Sequence, residues 1–382
     1  MKKLMITFIS TGLLFTNFTG LRLWGPVGLG ELLLLISSVS LLMYPLSGRN
    51  IIVSKKSIEL LLLIASFFFL MTVSTVYGLL NYNFVLHDYV AFLLSILLIS
   101  ALAFVENSLK LIDKIMKRFY LLSAGYIIFL IIYVSFISNT FLGHNLLYYN
   151  VRMQGFSTNP NQLALLMVII VPFSLYFLLK GIYPKLFNVL VLLGSLYVSL
   201  QTYSDALYVA ILCGGLVFSF CTILVSEKVR KGTKIIILLF LSLLPFIVVF
   251  IDKMMIIFEA FDKNNDQASI RLILWKNGLK AFTSSPFWGN GTGAHSGVTG
   301  PFMNFESHNS FIDFISMFGL LGLLIVAILF TKIVVNNLQS PFFLSVLFSI
   351  LTFSMFHNTI RQPLVWFFFT VLYLGTNAKK ST

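Results

Sequence analysis

The stretch "ESHNSFIDFISMFGLLGLL", residues 306–324, sets a carboxylate, a serine, a histidine and an asparagine directly before an almost unbroken apolar run. His308 is the group there suited to general-base work near neutral pH, and Glu306 and Asp313 are close enough in sequence to orient it. Asp313 follows His308 by five residues, off the ideal i+4 face of a helix. The same "SHNS" also reads as a helix cap, because short polar side chains satisfy the free N–H groups of a first turn.

Three arginines are candidates for holding an anion. Arg152 stands in "RMQGFSTNPNQ", where "TNPN" is a helix-start signal that presents backbone N–H groups as well as the guanidinium. Arg271 opens "SIRLILWKNGLKAF", in which Leu272, Trp275, Leu279 and Phe282 recur at helical spacing with Asn277 and Lys280 on the other side. That pattern predicts an amphipathic helix at the membrane surface. Arg361 lies in "HNTIRQP", ahead of a proline suited to a first helical turn. A planar guanidinium fork matches phosphate oxygens better than an ammonium does. Contact with lipid headgroups for Arg152, and snorkelling for Arg271, are the plainer alternatives. Glu31 and Asp205, near the outer ends of apolar runs, are second-rank candidates.

Other chemistries fail on spacing. "FDKNNDQASIRL" begins like a calcium loop, with Asp262, Asn264 and Asp266, but Gln267 replaces the glycine and Ile273 the closing glutamate. "GNGTG" has no strand before it and no βαβ unit around it, so it is not a dinucleotide loop. Cys213 and Cys221 share one apolar stretch and make neither a disulfide framework nor a four-ligand metal site. No metal and no cofactor is expected.

These residues need a membrane scaffold to position them. Hydrophobic residues are 58% of the 382, and charged residues 10%, more apolar surface than a soluble chain can hide. Twelve spans are expected, at 4–20, 27–46, 58–80, 86–105, 119–138, 161–180, 185–202, 206–225, 235–251, 309–331, 341–356 and 362–376. The N-terminal segment has the charge and apolar core of a signal peptide, but further spans follow at once, so it reads as an uncleaved first span. With the N-terminus cytoplasmic, 18 of the 26 Lys and Arg residues fall on the inner side, as the positive-inside rule requires. The net charge of +13 is then a matter of topology, and no nucleic-acid partner is implied. All five histidines fall in or beside outer segments, and the two long outer segments are 139–160 and 252–308. The expected fold is an all-α polytopic membrane protein, one integral domain over 1–382, with both termini cytoplasmic and a long outer loop carrying an amphipathic helix.

Taken in order, "RMQGFSTNPNQLA", "SIRLILWKNGLKAFTSSPFWGNGTG" and "SHNSFIDFISMFGLLGLL" resemble the O-antigen ligase and polymerase superfamily over about residues 140 to 376. The shared pattern is Arg-x-x-Gly-x-x-x-Asn-Pro, then Arg-x-x-x-Trp with Pro-x-x-Gly-x-Gly, then His-Asn before a Gly-x-x-Gly helix. The resemblance implies a GT-C-like, metal-independent, inverting glycosyltransferase in the bacterial inner membrane, active on its outer, periplasmic face. The implied donor is an undecaprenyl-pyrophosphate-linked glycan, with membrane lipids and a chain-length regulator as further partners. Arg152, Arg271 and Arg361 would bind the pyrophosphate, His308 would be catalytic, and Asn309, Glu306 and Asn161 would orient the acceptor. One departure stands out: where the family often has Ser-Arg, this chain has Ser204 followed by Asp205. A polymerase of lipid-linked repeat units for O-antigen or capsule is the first expectation, and a ligase to lipid A-core or another acceptor the second. A flippase is disfavoured, because the halves show no repeat and ionisable residues avoid mid-membrane.

Overall fold

The computed structural model describes residues 2–24, 27–43, 53–80, 85–105, 108–225, 266–298 and 300–375. The expected span at 235–251 and the start of the calcium-like segment lie outside the described residues. Helices dominate, as the apolar runs predict. Among the described residues, six helices are long and apolar enough to cross a membrane: Lys55–Leu80, Leu86–Phe104, Ser108–Phe136, Pro160–Lys180, Asp205–Ile223 and Ser310–Asn337. Five shorter apolar helices, Lys3–Phe15, Leu29–Met43, Lys185–Gln201, Pro341–Ser354 and Pro363–Leu374, stand at other expected positions.

Two of the boundaries that differ from expectation do so for evident local reasons. The first helix stops at Phe15, where Thr16 and Asn17 turn their side chains back onto the carbonyls of Leu13 and Leu14. Such back-bonding competes with the helical ladder. The fifth begins at Ser108 instead of 119, because its basic first turns are good helix formers and Lys117 pairs with Asp113 at 2.7 Å across one turn. Short antiparallel pairs also occur: Arg22–Trp24 with Val27–Gly28, Thr140–Phe141 with His144–Asn145, and Leu147–Tyr148 with Arg152–Met153. The last two lie in the 139–160 segment.

The chain divides into two compact units, 1–64 with 91–212 and 362–382, and 65–90 with 213–361. In the first, the Lys2–Phe15 helix packs on Leu29–Met43 and Ser108–Phe136, with the Ser10 hydroxyl bonded to the Ile115 carbonyl at 3.1 Å. In the second, Phe67, Phe314 and Phe318 stack at ring separations of 5.0–5.9 Å, and Trp275 packs with Leu272 and Ile312.

Candidate functional site

In the first unit, the Arg152 segment is held by its own local signals. Asn159 caps the Pro160–Lys180 helix by accepting the Asn161 N–H at 2.9 Å, and Pro160 fills the first helical position. Gly155 sits at φ +59, and a side chain there would strike the Tyr126 hydroxyl. That hydroxyl instead accepts the Phe156 N–H at 3.0 Å. Arg152 is thereby carried on the Leu147–Met153 hairpin, half-buried. Its Nε donates to the Thr202 carbonyl at 2.9 Å and Nη2 to the Asn161 amide oxygen at 3.4 Å. Both acceptors are neutral, so the guanidinium meets no carboxylate among the described residues. Asp205 is exposed in the first turn of its own helix, and the Glu31 carboxylate accepts the Gly28 N–H at 3.0 Å.

In the second unit, the Gly-rich loop and the Ser310–Asn337 helix complete one another. The helix breaks at Gly319, which adopts φ 61, ψ −161. A break in a spanning helix leaves backbone groups that no water can satisfy. The loop supplies the missing partners. Asn290 and Gly291 N–H groups donate to the carbonyls of Ser316 and Met317 at 2.9 and 3.0 Å, and Leu320 and Leu321 N–H groups donate to Pro286 and Phe287 at 2.8 and 3.2 Å. Gly289 lies against the Met317 carbonyl, and a Cβ on Gly319 would come within 2.5 Å of the Phe287 carbonyl. The two glycine motifs are therefore halves of one backbone junction.

That junction leads to His308. The Asp266–Ser284 helix presents Trp275, whose indole N–H donates to the Ser307 carbonyl at 2.9 Å. Arg271 lies one turn before Trp275 on the same side of the helix. It is half-buried and has no carboxylate partner among the described residues. His308 is exposed, at φ 55, with no side-chain partner among the described residues. Asn309 is the N-cap: its amide oxygen accepts from Phe311 and Ile312 at 3.0 and 3.3 Å. Asp313 is buried and accepts the Ser307 N–H at 2.9 Å.

Behind this loop lies a buried charge cluster. His295 Nε2 is 2.6 Å from Asp88 Oδ2, and Nδ1 is 3.3 Å from Asp313 Oδ1. The second contact is misaligned for a hydrogen bond and acts as an ion pair. Arg361 Nη1 donates to Asp88 Oδ1 at 3.1 Å, and Nη2 pairs with Glu306. Burial alone would push the His295 imidazole down, but the Asp313 and Asp88 carboxylates outweigh it and raise it to about 10. His295 is therefore a cation at neutral pH, wedged between two anions.

Residues 189–327 match the family model described as O-antigen ligase. That match supports the resemblance to the O-antigen ligase/polymerase superfamily. No curated protein matches the chain. The superfamily acts on lipid-linked polysaccharides, and its members are glycosyltransferase-like membrane enzymes.

Of the residues singled out from the sequence, Arg271, Glu306, His308 and Asn309 fall within the matched stretch, whereas Arg152, Asn161 and Arg361 fall outside it. The structure brings together Arg152 with Asn161, and Glu306 with Arg361. It keeps Glu306 on Arg361 instead of on His308. The amphipathic reading of the 266–284 helix is only half right: Asn277 is 8% exposed and donates to the Pro301 carbonyl, while Leu279 is 48% exposed. The packed face runs through Leu274, Trp275, Gly278 and Ala281. His295 and Asp88 went unrecognised as a pair. The clue available in sequence was two ionisable residues in outer segments of a chain poor in charge.

Proposed function

We propose that this protein is a GT-C-like membrane glycosyltransferase that polymerises lipid-linked repeat units at the outer face of the bacterial inner membrane. The observation that carries this reading is the contrast among its arginines. Arg152 and Arg271 meet no carboxylate among the described residues, whereas Arg361 is neutralised by Asp88 and Glu306. An uncompensated guanidinium on outer segments suits a pyrophosphate. In this reading Arg271 holds the leaving group beside His308. The assignment of an anionic ligand to Arg152 rests on its motif and on its meeting no carboxylate among the described residues. Arg361 was expected to share that role; here it orders the loop that bears Glu306.

The reaction needs little else. His308 takes the proton of the acceptor hydroxyl, whose oxygen attacks the anomeric carbon of the donor glycan. The bond from that carbon to the pyrophosphate oxygen breaks, and its electron pair leaves with undecaprenyl pyrophosphate. Attack opposite the leaving group inverts the configuration. Fixed positive charge stabilises the developing negative charge on the pyrophosphate.

A ligase, transferring the finished glycan to lipid A-core or another acceptor, is the second reading, favoured by the description of the matched family. Deleting the gene and separating the surface glycan by electrophoresis tests both. Single repeat units on the acceptor mean a lost polymerase; long chains still on the lipid carrier mean a lost ligase. An unchanged ladder overturns both.

A further inference from the structure

The charge cluster behind His308 is buried, and its geometry has a direction. Asp88 is 1% exposed, His295 3% and Asp313 0%. Charges so buried persist only when paired. His295 touches carboxylates on both sides, so it cannot exchange protons with a substrate and cannot reach one. Asp313, its second partner, accepts the backbone N–H of Ser307. Ser307 is held again by Trp275 through its carbonyl, and its own hydroxyl accepts the Asn309 N–H at 3.2 Å and donates to the Asn309 carbonyl at 3.0 Å. The residue between Ser307 and Asn309 is His308, in a left-handed conformation that a non-glycine residue adopts at a cost of about 1–3 kcal/mol. Such a conformation persists only where the surroundings over-determine it.

Resting on the glycosyl-transfer reading above, we propose that His295 is a positioning residue for His308, a charged strut that fixes Asp313 and through it the Ser307–His308–Asn309 turn. The charged groups around the strut are few. Asp88 faces it from the Leu86–Phe104 helix and Asp313 from Ser310–Asn337. Across Asp88 stand Arg361, tied to Glu306, and His87 at 3.7 Å. The Asp266–Ser284 helix presents Gly278 to the His295 carbonyl, and the Lys55–Leu80 helix meets the loop through Thr75 and Thr292, 3.3 Å apart; both are neutral contacts. Removing either carboxylate from His295 therefore loosens the strut, and no other carboxylate among the described residues faces the imidazole.

The test uses the full-length protein in lipid vesicles, with lipid-linked glycan extracted from cells lacking it as donor. His295→Gln removes the strut's charge; Asp313→Asn keeps an acceptor for Ser307 but loses the ion pair, and serves where His295→Gln fails to fold. Positioning predicts that turnover per folded molecule falls at least tenfold while KM for the donor stays within about twofold. It also predicts that Asp313→Asn loses turnover at lower pH than wild type, because His295 then has one carboxylate instead of two. A second readout is independent of turnover: the rate at which diethylpyrocarbonate modifies His308, followed by mass spectrometry, changes at least threefold in either variant. Wild-type turnover with both variants unaffected, in kcat and in His308 reactivity, overturns the strut and leaves the glycosyl-transfer reading standing. An inert wild type counts against that reading, and the modification rate still decides the strut.

Discussion

His295 and Asp88 are 207 residues apart in sequence and 2.6 Å apart in space. The contact ties the loop before His308 to the first turn of the Leu86–Phe104 helix, and it is closed on its far side by Arg361 and Glu306. Asp88 and Asp313, both buried, and the part-exposed Glu306 face two cations, His295 and Arg361. Removing one member of such a group leaves the others buried and uncompensated, which costs more than the pair contributes when intact.

The first prediction is a pH-dependent stability. His295 is raised from 6.5 to about 10 on folding, so the folded state binds its proton more tightly than the unfolded state. The resulting stabilisation is complete below about pH 6.5 and is lost as the pH rises toward 10. Thermal unfolding of the detergent-solubilised protein is expected to show Tm falling between pH 7 and 10. His295→Gln is expected to be less stable at pH 6.5, by about 3–5 kcal/mol, and flatter across that window.

What was legible in the sequence was what has local partners. Asn159, Pro160 and Gly155 act within ten residues of Arg152, and their types announce a cap, a first turn and a left-handed bend. Asn309 announced its cap in the same way. The Pro-x-x-Gly-x-Gly and Gly-x-x-Gly motifs were legible as motifs, but their mutual hydrogen bonding was not, because periodicity does not report which broken ladder a loop completes. The Asp88–His295–Asp313 line was invisible for the same reason. Charge pairing across long sequence separations leaves no spacing to read.

Glycine substitutions in the junction test the broken-helix account. Gly319→Ala places a Cβ 2.5 Å from the Phe287 carbonyl at a positive φ, and Gly289→Ala meets the Met317 carbonyl at φ 75. Each is expected to destabilise by at least about 1–3 kcal/mol and to lower the folded yield on size exclusion. Gly125→Ala is the control: it lies in a helix with nothing within 4 Å, and is expected to stabilise by about 0.5–1 kcal/mol.

Adjacent residues with separate jobs give the next prediction. Asn309→Ala removes the cap and is expected to cost about 1 kcal/mol of stability while transfer per folded molecule falls less than fivefold. His308→Ala touches no described partner and is expected to leave Tm within 2 °C or so, since surface changes are usually within about 0.5 kcal/mol. Its transfer rate is expected to fall roughly 10²–10⁴-fold, the range of a lost general base. Equal losses of transfer in both variants would mean that the turn, and not the imidazole, is what matters.

The arginines should separate in the same two measurements. Arg361→Ala leaves Asp88, a 1% exposed carboxylate, with His295 as its close partner and takes the guanidinium from Glu306, and is expected to cost about 1.5–3 kcal/mol of stability. Arg361→Lys keeps the charge but cannot span Asp88 and Glu306 as the planar fork does, so it recovers only part of that loss. Arg152→Ala gives up bonds to two neutral acceptors, worth about 1 kcal/mol each at most, so the protein stays folded. Its effect falls on the donor. Losing a charge-assisted contact of about 1.5–3 kcal/mol lowers kcat/KM by roughly 10- to 150-fold, and Arg152→Lys recovers some of it. Measured on folded protein with extracted lipid-linked donor, a stable but inactive Arg152→Ala and an unstable Arg361→Ala are the expected pair. The reverse assignment would make Arg361 the pyrophosphate ligand and Arg152 a structural tie.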